Sequence, residues 1–108
     1  MTLDGSRDTW RTPEVDDLCG AFQCLNTTDE IGAFLRDLCT ASELEAMAHR
    51  LAAARLLDRG LPYHQVAERV GGSTTTVTRV AQWLRRGEGG YRIVLDRTAP
   101  PERGVNNP

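Results

Sequence analysis

Residues 73–86 read STTTVTRVAQWLRR, and their hydrogen-bonding side chains fall into two sets. Ser73, Thr74, Thr75 and Thr78 place short hydroxyl and methyl groups near the start of the segment, the groups that reach base-pair edges when a helix enters a major groove. Arg79, Gln82, Arg85 and Arg86 follow, and the guanidinium fork matches phosphate oxygens and the guanine edge. In helical projection Val77, Val80, Ala81 and Leu84 form one stripe, with Thr75, Arg79, Gln82 and Arg86 on the opposite face, which holds no acid. A capping serine followed by solvated threonines is the plain structural alternative. Threonines at 74, 75, 76 and 78 lower helix propensity, however, so a helix that only packs has little reason to carry them. The chemistry this composition suits is non-covalent recognition.

Other reactive residues are scattered. Cys19, Cys24 and Cys39 are odd in number and lack a C-x-x-C spacing, which argues against a disulfide framework or zinc cluster and predicts buried free thiols. His49 and His64 read as exposed or packing residues before metal ligands. A thiol and base made from Cys39 with either histidine has neither the spacing nor a glycine-rich loop to support it. No enzyme is expected, and no cofactor or metal is indicated.

A reading helix needs a scaffold. Residues 63–82, YHQVAERVGGSTTTVTRVAQ, are two short apolar-periodic stretches joined by Gly71-Gly72, and their positions fit a helix-turn-helix. With Tyr63 as the first position, Ala67 falls where two helices cross too closely for a larger side chain. Gly71 falls at a turn that needs positive φ, and Val66, Val70, Val77 and Val80 fall on the inward face. The helix-turn-helix is placed at 63–86.

Three amphipathic helices are predicted ahead of it. Thr12-Pro13 is a cap and a first-turn proline before Val15, Leu18, Cys19 and Phe22. Thr27 and Glu30 form a capping box ahead of Ile31, Phe34, Leu35 and Leu38, and Thr40 with Glu43 repeats it ahead of Leu44, Met47, Ala48 and Leu51. The third helix is the longest and stops at Arg59-Gly60. The fold class is all-α, with flexible tails at 1–11 and 98–108 around a helical domain at 12–97. Such a small core is marginal alone, so a homodimer is expected; the alternative is that the three helices pack on the rest of the same chain.

The chain has 108 residues, 40% hydrophobic and 26% charged, ordinary for one globular domain. No apolar run approaches the roughly 18 to 20 residues of a bilayer span, and the start MTLDGSRDTW lacks signal-peptide features, so a cytoplasmic protein without a membrane partner is expected. The net charge of -2 argues against bulk attraction to nucleic acid, but its distribution does not. Residues 1–39 carry three Arg and eight acids, whereas 69–97 carry six Arg and two acids. Every basic side chain among the 13 is Arg.

The blocks LCTASELEAMAHR (38–50), VGGSTTTVTRV (70–80) and WLRRGEGGYRIVLDR (83–97), in this order, resemble the Trp-repressor-like family, and the G-x-G-G-Y run resembles its YerC/YecD-type branch of small bacterial proteins. The resemblance covers 38–95. It implies an intertwined homodimer whose second motif helices enter successive major grooves of a palindromic operator in double-stranded DNA. It also implies that the acidic N-terminal helices and the Tyr91, Ile93, Val94, Leu95 segment form the dimer, and that the protein regulates transcription, as a repressor. Phosphate contacts are assigned to Arg69, Arg85, Arg86 and helix N-termini. A protein-interaction module that keeps the fold without specific DNA binding is the alternative function.

By the same resemblance, Thr40, Arg50 and Arg79 match the positions with which the Trp repressor holds tryptophan. Two positions depart: Val80 replaces a glycine and Trp83 a serine, which is expected to shrink the ligand space and to make tryptophan unnecessary as corepressor. Trp83 packing at the dimer seam is the other reading. His64 stands where the repressor uses an arginine on DNA, so the operator sequence does not carry over. A small-molecule effector stays an open question at this level.

Overall fold

The computed structural model describes residues 9–98, so most of both expected tails lies outside the described residues. These residues form helices α1 (Pro13–Phe22), α2 (Thr28–Leu38), α3 (Ala41–Asp58), α4 (Tyr63–Val70), α5 (Thr74–Arg86) and α6 (Gly90–Arg97), and among them there is no strand. The chain divides into two compact units, one ending at Ala41 and one beginning at Ser42.

In the N-terminal unit the caps act as the sequence predicts. Thr12 Oγ1 accepts from the Val15 N–H at 3.2 Å, and Thr27 Oγ1 accepts from the Glu30 N–H at 3.1 Å, each satisfying an orphan donor of a first helical turn. The return half of the second box falls one residue earlier than the standard pattern: Glu30 accepts from the Asn26 N–H at 2.8 Å. Arg36 closes α2 by donating to the Cys39 carbonyl at 3.0 Å. Phe22 and Phe34 meet edge to face with centroids 5.3 Å apart. Neither α1 nor α2 contains a buried residue, and Leu38 is 50% exposed. This corrects the expectation of buried thiols. Cys19 on α1 and Cys24 just beyond it are exposed and Cys39, the C-cap of α2, is half-buried, in keeping with two helices that contain no buried residue.

The C-terminal unit holds the core. Ala53, Ala54 and Leu56 of α3, Val66 and Ala67 of α4, and Val77 and Val80 of α5 pack together. Small Ala67 lets the backbones of α4 and α5 approach closely, while fully buried Val66 and Val77 fill the centre. The first ten residues of α3 include no buried one. Helix α6 has no counterpart in the sequence reading, which placed Tyr91–Leu95 only as a dimer-forming segment. Tyr91 and Leu95, one turn apart, pack on the core, whereas Ile93 and Val94 stay exposed. Polar latches fix α6 to the end of α3. Arg92 donates two bonds to the Asp58 carboxylate, at 2.9 and 3.1 Å, and another to Asp96 at 2.8 Å. Hydrogen bonding to Asp58, then to Asp96, raises the already high pKa of Arg92 further. Arg55 donates to the Thr98 hydroxyl at 2.9 Å and its carbonyl at 3.3 Å.

Candidate nucleic-acid interface

The site is built on α4 and α5. Helix α4 ends at Gly71, whose φ of +73° is the left-handed conformation that residues with a Cβ avoid. The Gly71 and Gly72 N–H groups both donate to the Ala67 carbonyl, at 2.9 and 3.1 Å, which turns the chain within two residues. Ser73 then caps α5, its Oγ accepting from the Thr76 N–H at 3.2 Å. Val77, Val80 and Ala81 are buried and Leu84 is half-buried, so the inward stripe is the predicted one.

The opposite face is open. Thr74, Thr75, Thr78, Arg79, Gln82, Arg85 and Arg86 are all exposed on α5, as are His64 and Arg69 on α4. Helix α5 contains no carboxylate. Its hydroxyls are not equivalent. Ser73 is committed to the cap, so its oxygen is partly occupied before any ligand arrives. Thr78 donates its hydroxyl to the Thr74 carbonyl at 2.9 Å. Among the described residues Thr75, Arg79, Gln82 and Arg86 have no side-chain hydrogen-bond or ion-pair partner, which leaves their full bonding capacity outward. Arg85 does have one: its guanidinium donates to the Tyr63 hydroxyl at 2.5 Å. The sequence reading gave Tyr63 no role, since nothing in a one-dimensional pattern pairs residues on two crossing helices.

Beside α5 lies an open groove of about 800 Å³, bounded by Arg50, Arg79, Val80, Trp83, Glu88 and Tyr91. The structure thus brings together four of the five residues assigned to a ligand pocket; Thr40 belongs to the N-terminal unit. Val80 is 2% exposed, its side chain being part of the core. Trp83 does not fill the space. It is 59% exposed, and its ring edge lies so close to Gly87 that a Cβ there would sit 2.7 Å from Trp83 Cε3. The indole is laid back along the helix end and forms a wall. Thr76, Glu88, Tyr91 and Val94 line the groove without having been singled out as pocket residues.

An all-helical unit in which a left-handed glycine turn joins two short helices, the second capped by Ser73 and free of acids, is a helix-turn-helix unit of the kind regulators carry. Comparison with known proteins gives the relationship: the chain belongs to the Trp repressor family, whose sequence profile matches residues 13–99. It is 37% identical over 95 residues to YerC of Bacillus subtilis, an uncharacterised protein, with 88% of this chain and 91% of YerC covered. Among solved structures it is similar to a TrpR-like protein of Eubacterium eligens, at 33% identity and a TM-score of 0.78 over 83% of this chain and 93% of that one. A candidate Trp repressor from Staphylococcus aureus gives 32% identity and the same TM-score, with 83% and 90% covered. Among the described residues no helix is long and apolar enough to cross a membrane.

Proposed function

We propose that the protein binds double-stranded DNA sequence-specifically as a homodimer and represses transcription by occupying a palindromic operator. The observation that carries this reading is the two-faced α5. Valines buried in the core fix its pose, and exposed Thr75, Arg79, Gln82 and Arg86 form an outer face with no carboxylate to repel phosphate. Thr74, Thr75, Thr78, Arg79 and Gln82 read base edges, with Ser73 at the helix start, and His64, Arg69, Arg85 and Arg86 contact the backbone. A homodimer is supported by the absence of any buried residue in α1, α2 and α6, and by Leu38, Trp83 and Ile93 each at least half exposed in one chain. Tryptophan is not required for DNA binding in this reading: Val77 and Val80, buried in the core, fix the pose of α5 by themselves. Val80 lines the groove where the Trp repressor has a glycine, whereas Trp83 leaves the groove open.

The test is selection from a randomised duplex library, followed by binding to the recovered sequence over a range of salt. Three phosphate-contacting arginines per protomer, Arg69, Arg85 and Arg86, give about six contacts per dimer and a slope of log K against log salt near -5. Affinity should then fall roughly 10³-fold between 50 and 200 mM salt. Failure to enrich any sequence, with weak and salt-insensitive binding, would favour a protein-interaction module on the same fold.

A further inference from the structure

We propose that Tyr63 is a positioning residue for DNA binding: its hydroxyl, the acceptor of a 2.5 Å hydrogen bond from Arg85, holds that guanidinium ready for a backbone phosphate. The inference rests on the proposed DNA-binding function. Tyr63 opens α4 and Arg85 lies in the last turn of α5, 22 residues later, so the bond joins the two helices of the reading head at its rim.

The partner separates this bond from the arginine–carboxylate pairs of the fold; Arg36 and Arg55 also meet neutral acceptors, but neither lies on the two helices of the reading head. Arg92 meets the carboxylates of Asp58 and Asp96, and Arg11 meets Asp16 at 2.7 Å. Those acids cancel the charge, which suits a latch. A phenol cancels nothing. Arg85 keeps its full positive charge, and the bond uses one of five N–H donors, leaving the rest for a second acceptor. A free arginine loses considerable rotamer freedom when it grips a phosphate, and a neutral tether removes part of that loss beforehand. The location matters as well, because the C-terminal end of a helix repels anions through its dipole, and a phosphate near the end of α5 depends on a cation held in place.

The experiment measures affinity of the full chain for the selected duplex and for a scrambled duplex of equal length, with Tyr63→Phe, Arg85→Ala and the double variant. Tyr63→Phe removes one hydroxyl and keeps the ring. It is expected to weaken binding to both duplexes by about three- to tenfold, the range of one hydrogen bond, while leaving the salt slope unchanged. Arg85→Ala should weaken binding more and flatten the slope by about one contact per protomer. On the Arg85→Ala background, Tyr63→Phe should have no further effect. Equal affinity of wild type and Tyr63→Phe overturns the inference, as does full additivity in the double variant, which would mean that Tyr63 acts on its own. A melting temperature lowered in Tyr63→Phe in proportion to the affinity loss would also overturn it, by making the bond merely structural. Wild-type protein that binds neither duplex overturns the proposed function together with this inference.

Discussion

Replacing Gly87 by alanine should damage the protein far more than an Ala-for-Gly change in an exposed turn ordinarily does. A Cβ at Gly87 would lie 2.4 Å from the Trp83 carbonyl oxygen and 2.7 Å from Trp83 Cε3. The ring could swing away; the carbonyl cannot. It accepts the Gly87 N–H at 2.9 Å, the bond that ends α5, and an ordinary carbon–oxygen contact of about 3.3 Å would require a displacement near 0.9 Å. Loss of that bond costs about 1 kcal/mol and the overpacking about 1 to 3, which gives roughly 2 to 4 kcal/mol in all. For a helical unit of this size the melting temperature should fall by roughly 10 to 30 °C. Urea denaturation at one fixed protein concentration measures the effect, since association would otherwise shift the midpoint. Gly90→Ala is the matched control. That residue opens α6, has nothing within 4 Å of its virtual Cβ, and should be neutral or stabilising by up to about 1 kcal/mol. Relief of the Gly87→Ala loss by Trp83→Ala should be partial, because the carbonyl clash persists. A Gly87→Ala protein within 0.5 kcal/mol or so of wild type would refute the steric reasoning, that being the scatter of ordinary surface changes.

The two faces of the interface should fail differently. Thr75→Ala should cost about 1 to 3 kcal/mol on the selected duplex and change the preferred sequence, whereas Arg86→Ala should weaken all duplexes and flatten the salt slope. Selection repeated with each variant checks this, and the reverse pattern would mean that the phase of α5 on DNA is wrong. Light scattering at micromolar concentration should give a dimer, with denaturation midpoints that rise with concentration; a concentration-independent monomer contradicts the expected assembly. Calorimetric titration should show that millimolar tryptophan leaves duplex affinity unchanged, while a tenfold tightening, about 1.4 kcal/mol of coupling, would establish it as a corepressor.

The reading head was legible in the sequence because its constraints are local. Val66, Ala67, Gly71, Val77 and Val80 stand at fixed offsets, and each occupies the environment its size and backbone demand: 0% exposure at Val66 and Val77, a left-handed Gly71 between them. Helix α6 escaped because eight residues give only one repeat of the apolar period, Tyr91 to Leu95. Its register depends on Arg92 reaching Asp58, 34 positions away. The orientation of Trp83 was illegible for a related reason. Helical spacing alone left the ring free to enter the groove, and the room that the bare backbone of Gly87 gives it beside the helix end is visible only once the end of α5 is built. The cysteines were misjudged because an odd number without C-x-x-C spacing argues against disulfides and zinc but says nothing about burial, and Cys19 and Cys24 are exposed.

Thr78 spends its proton on the Thr74 carbonyl, and this fixes the sense of the contacts it can make. Seen from outside, that side chain is a methyl group and an acceptor oxygen, with no donor left. In a major groove such a pair suits the thymine methyl, or the exocyclic amines of adenine and cytosine, and has nothing to offer the N7 and O6 acceptors of guanine. Arg79, the next residue, has the reverse polarity, a fork of donors with no acceptor. Two neighbours on one helix thereby carry opposite halves of a donor–acceptor code, and it is the helix's own carbonyl, not the side-chain identity alone, that assigns Thr78 its half.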